Sequence, residues 1–274
     1  MRPLIDVAGI PFSPPRRPVR IVSLIPSITE ILFTLGLDDE IAGITRFCTE
    51  PPEKVKTKLR IGGEKDPDLQ KIRALQPDLV IANMEENRRE DVAELRGWGV
   101  SVYITYPRTV EQGIALVREL GALTGREVEA ENVVKELEPL YRRVLAETAR
   151  GSPARVFCPI WRKPYMTINR DTYVHDMLRV AGGENVFGDW VERYPEVTLD
   201  DVAAKKPDVI LLPDEPYRFR RAHLEDFTPF EEIPAVQTGR IHLIDGKLIS
   251  WYGPRIAEAL QTLPRLLAGT AEKV

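Results

Sequence analysis

The sequence predicts an α/β protein of two similar lobes, each on a parallel sheet, joined by one long helix and facing each other. Three observations carry this. Strands and helices alternate along the chain, which argues for parallel sheets covered by helices on both faces. QPDLVIANMEENRRED, from Gln76, and KPDVILLPDEPYRFRR, from Lys206, say nearly the same thing in the two halves. Between the halves, REVEAENVVKELEPLYRRVLAETAR is one long charged stretch. In it Val133, Val134, Leu137, Leu140, Tyr141, Val144 and Leu145 recur at helical spacing, with Pro139 placed to bend the helix.

Each element follows from its local pattern. Residues 1–19 are rich in Pro and Arg and read as an irregular lead-in. RIVSLIP is a short apolar run, the mark of a buried strand. SITEILFTLGL is a helix, with Ser27 and Glu30 at capping-box spacing and Gly36 at its C-cap. EIAGITRF is a strand. DPDLQKIRALQ is a helix with Asp66 as N-cap and Pro67 in its first position. DLVIAN is a strand, NRREDVAELRGWG a helix and VSVYITY a strand. TVEQGIALVRELGALTG is a helix opened by Thr109 and Gln112. These make 20–124 one lobe and 125–150 the linking helix.

In 151–274 the pattern restarts. RVFCPIW and YMTIN are strands. DTYVHDMLRVAGG is a helix with Asp171 as N-cap, and TLDDVAAKK a helix with Thr198 and Asp201 at capping-box spacing. DVILLPD and RIHLIDG are strands, and GPRIAEALQTLPRLLAG closes as a helix. RIVSLIP thus matches RVFCPIW, and PDLQKIRALQPDLVIAN matches TLDDVAAKKPDVILLPD. One repeat of half the chain implies paired lobes, where repeats of twenty to fifty residues would imply a solenoid.

Composition excludes several classes. With 274 residues, 43% hydrophobic and 29% charged, the chain has ordinary globular composition. A net charge of −4 gives no case for nucleic acid. No run of eighteen apolar residues predicts a membrane span. The start lacks the apolar core and cleavage site of a signal peptide. As written, the chain is expected in the cytoplasm; with a leader removed and a Met added, outside it. Two cysteines and three scattered histidines form no disulfide framework, CxxC, HExxH, GxSxG or P-loop pattern.

In open α/β sheets ligands bind beyond the carboxyl ends of the strands. The loops there hold Phe47, Trp161, Tyr217, Trp251 and Tyr252 among arginines and acids. Aromatics with a few polar groups suit a planar or amphiphilic small ligand. The divergence between Met84–Arg89 and Asp214–Arg221 is where specificity is expected. Glu86 and Asn87 are expected to face the ligand, with Arg89 on the surface. Arg46, Arg108, Arg162, Lys163, Arg193 and Arg255 either prefer an anion or pair with neighbouring acids.

RIVSLIPSITEILFTLG, IRALQPDLVIA, AGGENVF, YPEVTLDDVAAKKPDVILL and SWYGPRI resemble the helical-backbone substrate receptors of ABC importers for iron chelates, haem and cobalamin. The resemblance covers about 20–270 and is nearest to the cobalamin receptors. It implies two Rossmann-like lobes of the periplasmic-binding-protein type and a ligand held in the cleft between them. The ligand order it implies is cobalamin first, then haem or a ferric siderophore. It also implies an ABC permease as partner, a monomeric state and no cofactor of the protein's own. By it, Phe47, Tyr194 and Trp251 are the aromatic ligand contacts. Glu64 stands where those receptors carry a further tryptophan. Gln70 and Asp200 stand where they carry the glutamates that pair with permease arginines, and Gln70 cannot form that ion pair.

Other readings stay open. Cys48 and Cys158 are either soft metal ligands or buried small apolar residues. His175 either ligates metal or packs locally. A cytosolic carrier or sensor with the receptor fold would dispense with the permease. An enzyme, a hydrolase or metal-handling one, would use Glu86, Cys48 and His175 in the same cleft.

Overall fold

The computed structural model describes residues 4–7, 9, 11, 12 and 18–269. The chain divides into two compact units. The first comprises Met1–Pro107, Gln112–Glu136 and Tyr252–Pro254; the second comprises Arg108–Glu111, Leu137–Trp251 and Arg255–Val274. Among the described residues no helix is long and apolar enough to cross a membrane.

Chain order begins β1 (Leu4–Ile5), β2 (Pro11–Phe12), β3 (Ile21–Ser23), α1 (Pro26–Thr34), β4 (Ile41–Ile44), α2 (Pro52–Val55), β5 (Leu59–Arg60) and α3 (Leu69–Ala74). It continues β6 (Leu79–Asn83), α4 (Arg89–Gly97), β7 (Val102–Thr105), α5 (Val110–Thr124) and α6 (Glu127–Thr148). Among the described residues β3 to β7 form one five-stranded parallel sheet, in the order β5-β4-β3-β6-β7. Val22, Leu24, Val80, Ala82 and Val102 of this sheet region pack with Ile72 of α3 and Val92 and Leu95 of α4.

The remaining elements are β8 (Ala154–Phe157), β9 (Tyr165–Met166), α7 (Tyr173–Val180), β10 (Gly183–Asn185), β11 (Glu196–Val197) and α8 (Leu199–Lys205). Then come β12 (Val209–Pro213), a 3-10 turn (Arg221–Phe227), α9 (Pro234–Gln237), β13 (Ile241–Ile244), α10 (Lys247–Ser250) and α11 (Arg255–Ala268). The second sheet is parallel, in the order β10-β8-β12-β13. Phe157, Phe187 and Phe227 anchor its core edge to face, at centroid distances of 5.6 and 6.4 Å.

Position for position, β4-β3-β6-β7 and β10-β8-β12-β13 are the same strand order. The repeated Pro-Asp sentence has a physical content in both. Gln76 and Lys206 both adopt a left-handed backbone, at φ 47° and 48°, and end helices α3 and α8. Asp78 then accepts the Val19 and Arg20 amides on one oxygen, at 2.9 and 3.0 Å, and donates its own amide to the Arg20 carbonyl at 2.9 Å. Asp208 accepts the Arg155 amide at 2.9 Å and returns its amide to the Arg155 carbonyl at 2.8 Å. The arginines close the loop. Arg20 donates Nε to the Leu75 carbonyl at 2.7 Å, and Arg155 donates Nη2 to the Lys205 carbonyl at 2.7 Å. Each guanidinium therefore caps the C-terminal carbonyls of the helix that feeds the next strand.

Several local expectations are corrected. Part of the lead-in is ordered structure: β1 pairs antiparallel with β2. The Val7 amide donates to the Ile104 carbonyl at 3.3 Å, and the buried Asp6 carboxylate accepts from Arg96 at 2.8 Å. These contacts cover β7, the edge of its sheet. The rest of the expected lead-in, 1–3, 8, 10 and 13–17, lies outside the described residues. Ser27 and Glu30 form no capping box: α1 starts at Pro26 with Ile25 as N-cap. Asp68, not Asp66, caps α3, and Thr172, not Asp171, caps α7. YMTIN supplies only β9, which pairs antiparallel with β11 outside the main sheet. The Thr198–Asp201 capping box is present as expected.

Candidate functional site

Each sheet presents its candidate side chains on the loops after its strands. In the first unit, the loop after β4 carries Arg46, Phe47 and Cys48. Phe47 is 50% exposed. The Arg46 guanidinium lies over its ring, 4.9 Å from the centroid, and makes a bidentate pair with Asp66 at 3.0 and 3.0 Å. Met84, after β6, is also exposed.

Asn87, expected to face the ligand, braces its own loop. It is buried; its amide oxygen accepts the Asn83 amide at 2.8 Å, and its amide nitrogen donates to the Glu64 carbonyl at 3.0 Å. Asn83 in turn accepts the Glu85 amide at 2.8 Å. Glu64 sits half-buried on the segment tied by this brace. Glu86 is exposed at its surface, yet the protein around it desolvates its carboxyl. That desolvation pushes its carboxyl above the usual range, while Lys65 lowers it and Glu85 raises it.

Cys48 and His175 each sit in surroundings of their own unit. The Cys48 thiol is buried between the Thr29 and Thr45 hydroxyls, at 3.2 and 3.3 Å, and burial pushes its pKa up. Such surroundings suit a packed thiol; a metal ligand must be a thiolate. Cys158 is buried likewise, its pKa pushed up to about 12. His175 is half-buried, 3.4 Å from the Asn185 amide, and burial lowers its pKa. Among the described residues no group of three His, Cys, Asp or Glu side chains is placed to hold a metal ion.

In the second unit, Trp161 follows β8 and is 44% exposed. Tyr217 meets it edge to face at 5.4 Å. Arg162, expected as a ligand contact, instead donates Nε and Nη2 to Asp226 at 2.6 and 2.9 Å, and Tyr165 donates its hydroxyl to the same carboxylate at 2.6 Å. Phe227, next to Asp226 in the chain, is fully buried. The Arg162 hydrogen bond, then Tyr165, hold the Asp226 carboxyl down at about 2. A depressed carboxyl stabilises the fold fully above its unfolded value, about 3.9, and loses that as pH falls through the folded one. The stability difference between the protein and an Asp226→Asn variant is therefore expected to stay flat from pH 8 to 4.5 and to shrink below pH 3.5. Calorimetry across that range checks it; a gap that closes near pH 5 contradicts it.

Tyr194 is 38% exposed, with the Arg193 guanidinium 5.7 Å from its ring centroid. Arg193 and Arg108 both donate to Asp171, at 2.7 and 2.6 Å. Trp251 is 5% exposed, and the Lys247 ammonium lies 5.7 Å from its ring centroid. Its indole hydrogen-bonds Glu215, a carboxyl that also accepts the Ser250 hydroxyl at 3.0 Å and is raised chiefly by burial. Tyr252 is buried too. Gln70 and Asp200 are both exposed, each the second residue of its helix, α3 and α8.

Sequence reasoning missed the roles of Asp66, Asp171 and Asp226. The first two read as helix caps. Asp226 carried no signal, because its partner Arg162 lies 64 residues away.

Two units of one strand order, each with exposed aromatics on its strand-end loops, define a two-lobed α/β binding protein. The chain belongs to the periplasmic binding protein family, whose model matches residues 21–248. The vitamin B12-binding protein of Salmonella typhimurium is 30% identical over 193 residues, 70% of this chain and 71% of that protein. That of Vibrio cholerae is 24% identical over 243 residues, 88% and 86% of the two. The crystal structure of the Vibrio cholerae periplasmic vitamin B12-binding protein shares the fold at TM-score 0.83 and 22% identity, covering 94% of this chain and 100% of that one. A periplasmic heme-binding protein from Roseiflexus sp. RS-1, in apo form, is similar at TM-score 0.79 and 26% identity, over 92% and 99%.

Proposed function

We propose that this protein is the substrate receptor of an ABC importer and binds a metal-containing chelate, a corrinoid before haem or a ferric siderophore. The observation that carries the reading is the set of exposed rings, Phe47, Trp161 and Tyr194, on strand-end loops of a chain in this family. A large planar ligand offers such rings an apolar face to cover. The names of the Salmonella and Vibrio relatives support the corrinoid. So does the charge. Arg46, Arg108, Arg162, Arg193 and Arg255 each pair with a carboxylate. Paired arginines favour a ligand of low net charge, such as an amide-bearing corrinoid, over a polyanionic chelate.

The ligand is the cargo, and no cofactor is needed to hold it. Against an enzyme using Glu86, Cys48 and His175 stands the Cys48 thiol, buried and raised, which makes a poor nucleophile. Docking to a permease would use the exposed Gln70 and Asp200, the latter supplying the only charge of the two. Its binding is accordingly expected to be weak and salt-sensitive.

Titration with aquocobalamin, haemin and ferrichrome tests the reading, followed by ligand absorbance and tryptophan quenching. Trp161 is placed to report. Saturable binding of aquocobalamin at micromolar or lower concentration is expected. No response to any of the three removes the proposal.

A further inference from the structure

We infer that Asp66, Asp171 and Asp226 are positioning residues: each clamps the arginine beside one exposed aromatic, Phe47, Tyr194 or Trp161, and so keeps that ring presented. The inference rests on the proposed function for its ligand, though not for its geometry.

The same arrangement occurs three times. Every one of these rings has an arginine as its neighbour in sequence: Arg46-Phe47, Trp161-Arg162 and Arg193-Tyr194. Each arginine is gripped by an aspartate from elsewhere in its own unit, 20, 64 or 22 residues away. Two of the grips are bidentate, the geometry that fixes a guanidinium in orientation as well as place.

An exposed ring beside an unclamped arginine would be a poor platform. The side chain carries about 2 kcal/mol of rotamer entropy and is drawn to aromatic faces. It would sweep across the ring and compete with a ligand for it. Clamped, Arg46 backs one face of Phe47 and leaves the other to a ligand. Trp161 is backed by the Tyr217 edge while Arg162 is held away on Asp226.

The chain around Asp66 is shaped for its clamp. A Cβ on Gly63 would lie 2.3 Å from an Asp66 carboxylate oxygen and 3.0 Å from an Arg46 nitrogen. A side chain there would make the pair shift to close. The adjacent Gly62 runs at φ +98°, with its own Cβ position 2.5 Å from the Asp66 carbonyl. Stability does not explain the Arg46–Asp66 pair, because exposed ion pairs contribute little. Pre-organisation does: ordering a contact before binding saves its cost at binding.

The test is a double-mutant cycle read by aquocobalamin and haemin affinity. Asp226→Asn is expected to weaken binding about tenfold. In a Trp161→Ala background the same change is expected to add less than twofold, whereas in a Phe47→Ala background it keeps its full effect. Asp66→Asn, on the exposed pair and unable to unfold the protein, is expected to show the converse dependence on Phe47. A general structural role would weaken binding equally in both backgrounds, and that result overturns the inference. So does an effect under twofold for both aspartates. If the unsubstituted protein binds none of aquocobalamin, haemin and ferrichrome, the functional reading fails and the clamp is read from Trp161 alone. Its emission, taken as the difference between the protein and Trp161→Phe, is then expected to lose anisotropy on Asp226→Asn. Unchanged anisotropy would sink the clamp as well.

Discussion

Removing Phe47 and Trp161 together, as Phe47→Ala with Trp161→Ala, is expected to weaken aquocobalamin binding on the order of 10³-fold. Stacking of a flat ligand on one aromatic is worth about 1–3 kcal/mol by alanine substitution. At about 2 kcal/mol each, two rings give about 4 kcal/mol, and every 1.4 kcal/mol is tenfold. The losses are expected to add, since Phe47 is backed by Arg46 and Trp161 by Tyr217, with no shared brace. Both rings are about half exposed, so the fold should lose no more than about 0.5 kcal/mol. The measurement is a titration of the single and double variants, with a denaturant melt of each. Trp251→Ala is the informative contrast. That ring is buried and bonded to Glu215, so its loss should appear first in the melt. A double variant that binds within tenfold of the parent protein would mean these rings are not the platform.

The architecture was legible because it is written twice. Strand-length apolar runs and the matching Pro-Asp sentences place β3 with β8 and β6 with β12, and the sheet orders agree. Less visible was the partner of β4, since IAGI and GEN share no pattern, yet β4 and β10 occupy the same place beside the first strand of each parallel sheet. The misplaced helix caps have a common cause. At α3 and at α7 the residue expected to cap has a second polar residue close after it, Asp68 after Asp66 and Thr172 after Asp171. In both cases the candidate that fails to cap is held by arginine: Asp66 by Arg46, and Asp171 by Arg108 and Arg193. A local pattern registers only local competitors. Charge-assisted pairing with a residue twenty or sixty positions away outbids the cap and leaves the next polar side chain to take it. The same blindness hid the clamps, which are made of the very residues that read as caps. The burial of Trp251 was hidden for a related reason, because its indole's acceptor, Glu215, lies 36 positions earlier in the chain.

Asp78→Ala and Asp208→Ala are expected to destabilise the protein by about 2 and about 1.5 kcal/mol, and the pair by about 3–4 kcal/mol. Hydrogen bonds to a charged group contribute about 1.5–3 kcal/mol each where they are partly buried. Asp78 holds two backbone amides on one oxygen, Asp208 one. Water re-satisfies part of what Asp78 releases, because Val19 and Arg20 are exposed, which keeps its cost near the lower end. Each aspartate also fixes the register between a helix end and two neighbouring strands, through the amide it returns to Arg20 or Arg155. That backbone bond survives the substitution, so the sheets should remain formed and the loss should appear as stability alone. Asp78→Asn and Asp208→Asn keep an acceptor at the same place and should cost less than half as much. Chemical denaturation of the four single variants and the double alanine variant measures this. Because the two latches share no partner, the alanine losses should add. A double alanine variant within 1 kcal/mol of the parent would leave the repeated Pro-Asp without a structural role. It would then be the proline and the left-handed residue before it, at Gln76 and Lys206, that both halves retain for the sake of the turn.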